Sequence, residues 1–190
     1  FKAHEVPIFN DLERLMNNHP LVNLIEALFK VYQRHFATSD VMHLLKTGLL
    51  VPKDMHDDLG RTVTKKYFQN AIYQTENWCL QYGRTGDDWL SKQKWHFDPN
   101  VDEEELKHHA DMQKRDRLAS APLNVIKDYV NGLQKFFNQL DQAQNGTEAA
   151  KALYSFLVGA GVVERLQEWS VADSQIDLTR AQEPQQVWQV

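Results

Sequence analysis

Between Leu153 and Trp169 the chain reads Leu-Tyr-Ser-Phe-Leu-Val-Gly-Ala-Gly-Val-Val-Glu-Arg-Leu-Gln-Glu-Trp, and no other stretch limits the fold as strongly. Leu153, Phe156, Leu157 and Ala160 recur at helical spacing. Gly161 stands where a helix needs a residue tolerant of the left-handed conformation, and Val162, Val163, Leu166 and Trp169 open a second apolar stripe. An earlier counterpart runs from Val41 to Leu50, with Gly48 as its stop. A helical hairpin cannot shield both of its own stripes, so other helices must cover them. The expectation is an all-α, multi-helix assembly.

The totals narrow the class. With 190 residues, 42% of them hydrophobic, the chain is long enough for one sizeable core. Cys79, the single cysteine, excludes an internal disulfide and any cysteine-ligated cluster, and fits a reducing compartment. No apolar run approaches the roughly 20 residues that span a bilayer, and no basic-then-apolar signal opens the sequence. A cytoplasmic protein without a membrane partner is expected. The net charge of −5 argues against a generic phosphate-binding surface, so any nucleic-acid contact must be a local patch. The sequence starts at Phe1 and stops at Val190 within a helical pattern, which leads us to expect an excised piece of a longer chain.

Along the chain, residues 5–9 (Glu-Val-Pro-Ile-Phe) read as at most one residual short strand, limited to an edge by Pro7. A helical turn is expected from Asp11 to Asn18. His19-Pro20 then opens a helix striped by Leu21, Leu24, Ile25, Leu28 and Tyr32. Ser39 reads as the cap of the next helix and Gly48 as its stop, and Val51 to Gly60 as turns. Arg61 to Tyr82 predicts a longer helix ended by Gly83. Arg84 to Asn100 has no clean period and reads as an ordered loop pinned by Trp89 and Trp95. Asp102 should cap a charged helix to about Ala119. Pro122 should start another, striped by Leu123, Ile126, Val130, Leu133, Phe137 and Leu140. Thr147 reads as the cap of the organising helix, and Asp177 to Val190 as a last helix. No repeat or low-complexity linker divides residues 1–190, so one domain is expected.

Chemistry is sparse. His-Glu-x-x-His is absent, and His108 and His109, being adjacent, point about 100° apart on a helix. His56-Asp57-Asp58 lacks a spaced fourth ligand. Asp98 with Glu105-Leu106-Lys107 matches in letters the carboxylate–lysine set of metal-dependent nucleases, but that set needs sheet geometry, and here the triplet lies in a charged helical run. Cys79 lies on an apolar face and reads as packed. Neither a phosphate loop nor Gly-x-Gly-x-x-Gly occurs. The sequence thus predicts no catalytic, metal or cofactor residue. Candidate DNA contacts are Lys65-Lys66, the Arg84, Trp89, Lys92, Lys94, Trp95 loop, and Lys114, Arg115 and Arg117, cations beside aromatics that could hold a phosphate and stack a base.

Val6-Pro7-Ile8-Phe9, His19-Pro20-Leu21-Val22, Leu44-Leu45-Lys46-Thr47-Gly48-Leu49-Leu50, Glu76-Asn77-Trp78 to Tyr82-Gly83, Trp89, Leu153-Tyr154-Ser155-Phe156-Leu157 and Gln186-Val187-Trp188 form an ordered set. Together they resemble the B subunit of the bacterial AddAB/RexAB ATP-dependent helicase-nucleases. The resemblance implies that residues 5–9 end a strand of a RecA-like domain and that 11–190 are the helical insertion of a UvrD-like helicase fold. It implies a parent hydrolase that processes double-strand DNA breaks for recombination, partnered by an A subunit and by double- and single-stranded DNA. The family's ATP, magnesium and iron–sulfur cluster are implied to bind elsewhere, since no residue here matches their motifs. Two other classes stay open: a free-standing helical protein-interaction domain, and a magnesium-dependent hydrolase using Asp98, Glu105 and Lys107.

Overall fold

The computed structural model describes residues 19–174, in which nine helices carry the fold. The expected strand at 5–9, the turn at Asp11–Asn18 and the helix at Asp177–Val190 lie outside the described residues. Among the described residues there is no strand, only a single antiparallel bridge from His56 to Thr62, so the described fold is all-α.

Helix α1 (Pro20–Gln33) starts as its sequence requires, with the His19 imidazole accepting the Leu21 N–H and Pro20 in the first turn. Leu21, Leu24, Leu28 and Val31 form its buried face. The chain then turns through His35 and Phe36, both with positive φ, which drives the Phe36 ring edge-on against Phe137 at 5.6 Å. Helix α2 (Thr38–Lys46) begins one residue before the expected Ser39 cap. The Ala37 carbonyl accepts the Asp40 and Val41 N–H groups, and the Thr38 hydroxyl is committed elsewhere. Gly48, at φ 74°, ends this unit as expected, and the Trp169 ring lies over the turn.

Helix α3 (Lys65–Tyr82) starts four residues later than expected because Thr64 provides the cap, its hydroxyl accepting the Tyr67 N–H. Arg61 instead belongs to the preceding turn. There the Asp57 carboxylate accepts hydrogen bonds from the Leu59 and Arg61 N–H groups, from Arg61 Nε and from the Tyr67 hydroxyl. Gly83 ends α3 in the left-handed conformation, as expected from sequence.

Residues 84–100 contain one short helix, α4 (Asp87–Leu90). The charged helix expected from Asp102 is interrupted: α5 (Glu103–His108) stops, and α6 (Ala110–Gly132) restarts after an extended His109. Asp102 does accept the Glu104 N–H. Pro122 lies inside α6 instead of starting a helix. The N–H it lacks would have met the carbonyl of Leu118, an exposed residue, and water is an adequate substitute there. The stripe from Leu123 to Leu140 is correspondingly split between α6 and α7 (Gln134–Gln142).

Helix α8 (Gly146–Gly159) is capped by Asn145, not Thr147: Asn145 Oδ1 accepts the Glu148 N–H while the Glu148 carboxylate accepts the Gln144 N–H, a reciprocal exchange. Gly161, at φ 73°, turns the chain into α9 (Val162–Ser174).

One apolar core joins these elements, with α3 packed along α6, α1 on α2, and α7 on α8. Leu24, Val41, Leu44, Phe68, Ile126 and Val130 are all shielded from solvent. Each such side chain contributes about 1.5–3 kcal/mol relative to exposure. The centre is therefore α1, α2, α3 and α6. The hairpin expected to organise the fold sits at its edge, and on α8 only Leu157 is fully buried.

Candidate functional site

The segment from Arg84 to Asn100, which holds half of the candidate DNA contacts, is held along Leu90 to Phe97 by the residues of one helix. Asn131, Lys127, Asn124 and Asp116 lie along α6 at spacings of four, three and eight, so they share a face. Asn131 Nδ2 donates to the Leu90 carbonyl at 3.3 Å. The Lys127 ammonium donates to Ser91 Oγ at 2.9 Å and to the Gln93 carbonyl. Asn124 exchanges two bonds with the Trp95 backbone, at 2.8 and 2.9 Å. The Asp116 carboxylate accepts the Phe97 N–H at 2.9 Å and meets His96 Nδ1 at 2.7 Å. The segment thus runs antiparallel to α6, and side chains supply the partners its backbone would have found in a sheet.

Its tryptophans point inward. Trp89 is fully shielded and its indole N–H donates to the Thr38 hydroxyl, which itself donates to the Arg84 carbonyl. Trp95 stacks obliquely on Trp78 at 4.8 Å and meets Trp89 edge-on at 4.9 Å. The Trp78 indole N–H donates to the Phe97 carbonyl. Lys127 Nζ stands 5.0 Å from the Trp95 ring centre. The ring faces offered by sequence for base stacking are thus occupied within the fold. Burial pulls the Lys127 ammonium below the ordinary lysine range, against the opposing pull of Asp128 and Asp88.

The candidate cations divide into two groups. Arg84 is paired with Asp88 at 3.1 Å and lies over Trp78. Lys94 bridges Asp128 at 2.6 Å and Asp58 at 3.1 Å. Burial alone would lower the Lys94 pKa, but the two carboxylates more than reverse that and raise it. Arg117 donates to the Asp58 carbonyl at 3.0 Å. Lys94 and Arg117 hold the 56–61 turn and the tryptophan segment against α6, whereas Arg84 ties the start of that segment to α4 and α3. Lys92, Lys114 and Arg115 are exposed, and among the described residues none of them makes an ion pair. Lys65 and Lys66 are exposed in the first turn of α3.

In the His56-Asp57-Asp58 run the middle carboxylate is engaged by its own turn. Asp57 is turned into its own loop, where burial would raise its pKa but the bonds from Arg61, Leu59 and Tyr67 pull it below the ordinary carboxylate value. Among the described residues no three His, Cys, Asp or Glu side chains converge as metal ligands. Residues 103–108, which contain Glu105 and Lys107, are helical. Cys79 is buried, and burial raises its thiol pKa to about 12. No helix among the described residues is long and apolar enough to cross a membrane.

Sequence reasoning misses Asp116, Asn124, Lys127 and Asn131. Their signal is polar residues recurring at the period of an apolar stripe, which marks a face that is buried yet hydrogen-bonded.

No family profile matches the chain. Individual proteins do. The B subunit of the ATP-dependent helicase/deoxyribonuclease of Limosilactobacillus reuteri (strain DSM 20016) is 42% identical over 196 aligned positions, covering 99% of this chain and 15% of that protein. The protein of the same name from Pediococcus pentosaceus is 40% identical over 194 positions, covering 100% and 15%. That from Lactiplantibacillus plantarum is 33% identical over 198 positions, again 100% and 15%. The chain spans about 15% of the length of the curated relatives it matches. Along nearly all of its length the chain is homologous to one stretch of proteins named as ATP-dependent helicase/deoxyribonuclease B subunits.

Proposed function

We propose that this chain is a non-catalytic helical module of a helicase-exonuclease B subunit that processes double-strand DNA breaks for recombinational repair, where it serves as scaffold for DNA and for the A subunit. The observation that carries this reading is the match along 99% of the chain to proteins named as that B subunit. The geometry is consistent with a scaffold, because the Trp95 and Phe97 backbone groups and the Ser91 hydroxyl of the tryptophan segment are spent on internal bonds that fix its shape.

Within this reading, residues 1–190 act as one unit and DNA contact falls to Lys92, Lys114 and Arg115, whose charges are not consumed by ion pairs among the described residues. Such contact is electrostatic and independent of base sequence. ATP, magnesium and any cluster belong to other parts of the parent assembly.

The test is binding of a forked DNA end by the chain across a salt titration. Replacing Lys92, Lys114 and Arg115 with alanine lowers the slope of log K against log salt by about 1 for each phosphate no longer neutralised. An unchanged slope moves the DNA contact elsewhere. Magnesium-dependent DNA cleavage by the chain, abolished in Glu105→Ala, overturns the non-catalytic assignment in favour of the hydrolase.

A further inference from the structure

The edge position of the α8–α9 hairpin leaves a groove of about 680 Å³ between the α6–α7 junction, α8 and the turn at Pro52–Met55. Its floor is apolar. Phe136 of α7 and Phe156 of α8 stack at 4.5 Å, with Leu133, Tyr129 and Met55 around them. Phe156 and Ala160 belong to the stripe that sequence assigns to burial, yet both remain partly exposed. The fold thus leaves an apolar stripe only half covered.

Two glycines line this groove. Gly132 and Gly159 are the last residues of α6 and α8, neither has a positive φ, and a Cβ on either would meet nothing within 4 Å. Glycine at a helical position costs up to about 1 kcal/mol relative to alanine, and nothing inside this fold requires it at either place. A missing Cβ over open space on both sides of an apolar groove is what close approach by another backbone needs. The rim charge narrows the occupant further. Asp128, the one acidic group in the lining, is held by Lys94 at 2.6 Å. Lys53 is loosely shared with Glu164 at 3.4 Å. Lys135, exposed in the first turn of α7, has no ion pair among the described residues. The rim therefore presents uncompensated positive charge on a protein whose net charge is −5.

We propose that this groove seats an amphipathic helix of a partner protein, its apolar face on Phe156 and Ala160 above the buried Phe136, its backbone close to Gly132 and Gly159, and an acidic flank against Lys135. The inference stands on the groove alone and holds whether or not the DNA contacts above are correct.

It is tested with a displayed library of helical peptides about 16 residues (~24 Å) long. Apolar residues are fixed at i, i+3, i+4 and i+7, and flanking positions vary among Glu, Gln and Lys. Selection on the 190-residue chain enriches Glu at the flanks. Binding of the selected peptide weakens about tenfold in Lys135→Glu, and a lysine-flanked version recovers it, as a charge pair at close range requires. Gly159→Leu closes the groove and abolishes binding while the melting temperature is held or raised, because leucine is the better helix former. Enrichment no greater on the wild type than on Gly159→Leu overturns the proposal, as does enrichment of Lys or an affinity unmoved by Lys135→Glu. A photo-reactive phenylalanine at position 139 that cross-links the chain to itself or to a second copy gives the groove to that occupant instead.

Discussion

Asn124 and Trp95 are joined by a two-bond clasp in which the Asn124 amide accepts the Trp95 N–H and donates to the Trp95 carbonyl, with both residues buried. The side chain on α6 does here what a neighbouring strand does in a sheet.

Asn124→Ala leaves both backbone groups of Trp95 without a partner and away from water. The expected cost is about 2–6 kcal/mol, the sum of two unsatisfied buried groups. Urea unfolding followed by tryptophan fluorescence measures it. Asn124→Asp, which keeps the acceptor and loses the donor, does not restore the wild-type midpoint.

Asp57 makes stability depend on acid. Its folded pKa is lowered, so the unfolded chain binds its proton more readily. The stabilisation is complete above the ordinary carboxylate value of ~3.9 and is lost as pH falls through the lower folded value. Asp57→Asn turns an amide donor toward donors from Arg61 and Tyr67, with an expected loss of about 1–3 kcal/mol at pH 7. The difference between wild type and variant in urea midpoint shrinks below about pH 4. A constant difference down to pH 3 would refute this role.

Glycine substitutions at the end of α8 have opposite signs two residues apart. Gly161 has φ 73°, and a Cβ there would stand 2.6 Å from Lys53 Cε. Gly161→Ala therefore costs about 1–2 kcal/mol, most of it backbone strain, since the lysine chain can swing aside. Gly159→Ala meets open space at ordinary helical φ and gains about 0.4–1 kcal/mol. In calorimetry each kcal/mol corresponds to about 2–4 °C for a domain of this size.

Cys79 should be inert until the fold opens. Burial holds its thiol near pKa 12, so almost no thiolate exists at neutral pH. Labelling by a thiol reagent is expected to follow the unfolding curve in urea. Rapid stoichiometric labelling of the native protein would contradict this.

Helix ends are legible in the sequence because their chemistry is local. His19-Pro20 opens α1, and Gly48, Gly83 and Gly161 each adopt the left-handed conformation that their positions imply. Pro122 misleads because the penalty of a proline depends on its surroundings. The carbonyl it fails to serve belongs to an exposed turn, while Leu123, Ile126 and Val130 continue the buried face through it. That Trp89 and Trp95 pin their segment is visible in the sequence, but which way the rings face is not. A tryptophan beside lysines looks the same whether its partner is a base or Trp78, and only packing decides. The hairpin at Gly161 is a turn, as its glycine implies, but not the centre, because stripe periodicity says that a face is apolar and not how fully it is covered.

The pairing of residues 89–97 with α6 turns that helix into a ruler. From Asp116 to Asn131 is about 22 Å of helix, against about 26 Å for a fully extended chain from Trp89 to Phe97, and the bonds from Asn131, Lys127, Asn124 and Asp116 fall along both in order. Inserting or deleting one residue here would slide every later group past its partner. An irregular stretch, where length change is usually tolerated, is thereby given a fixed length.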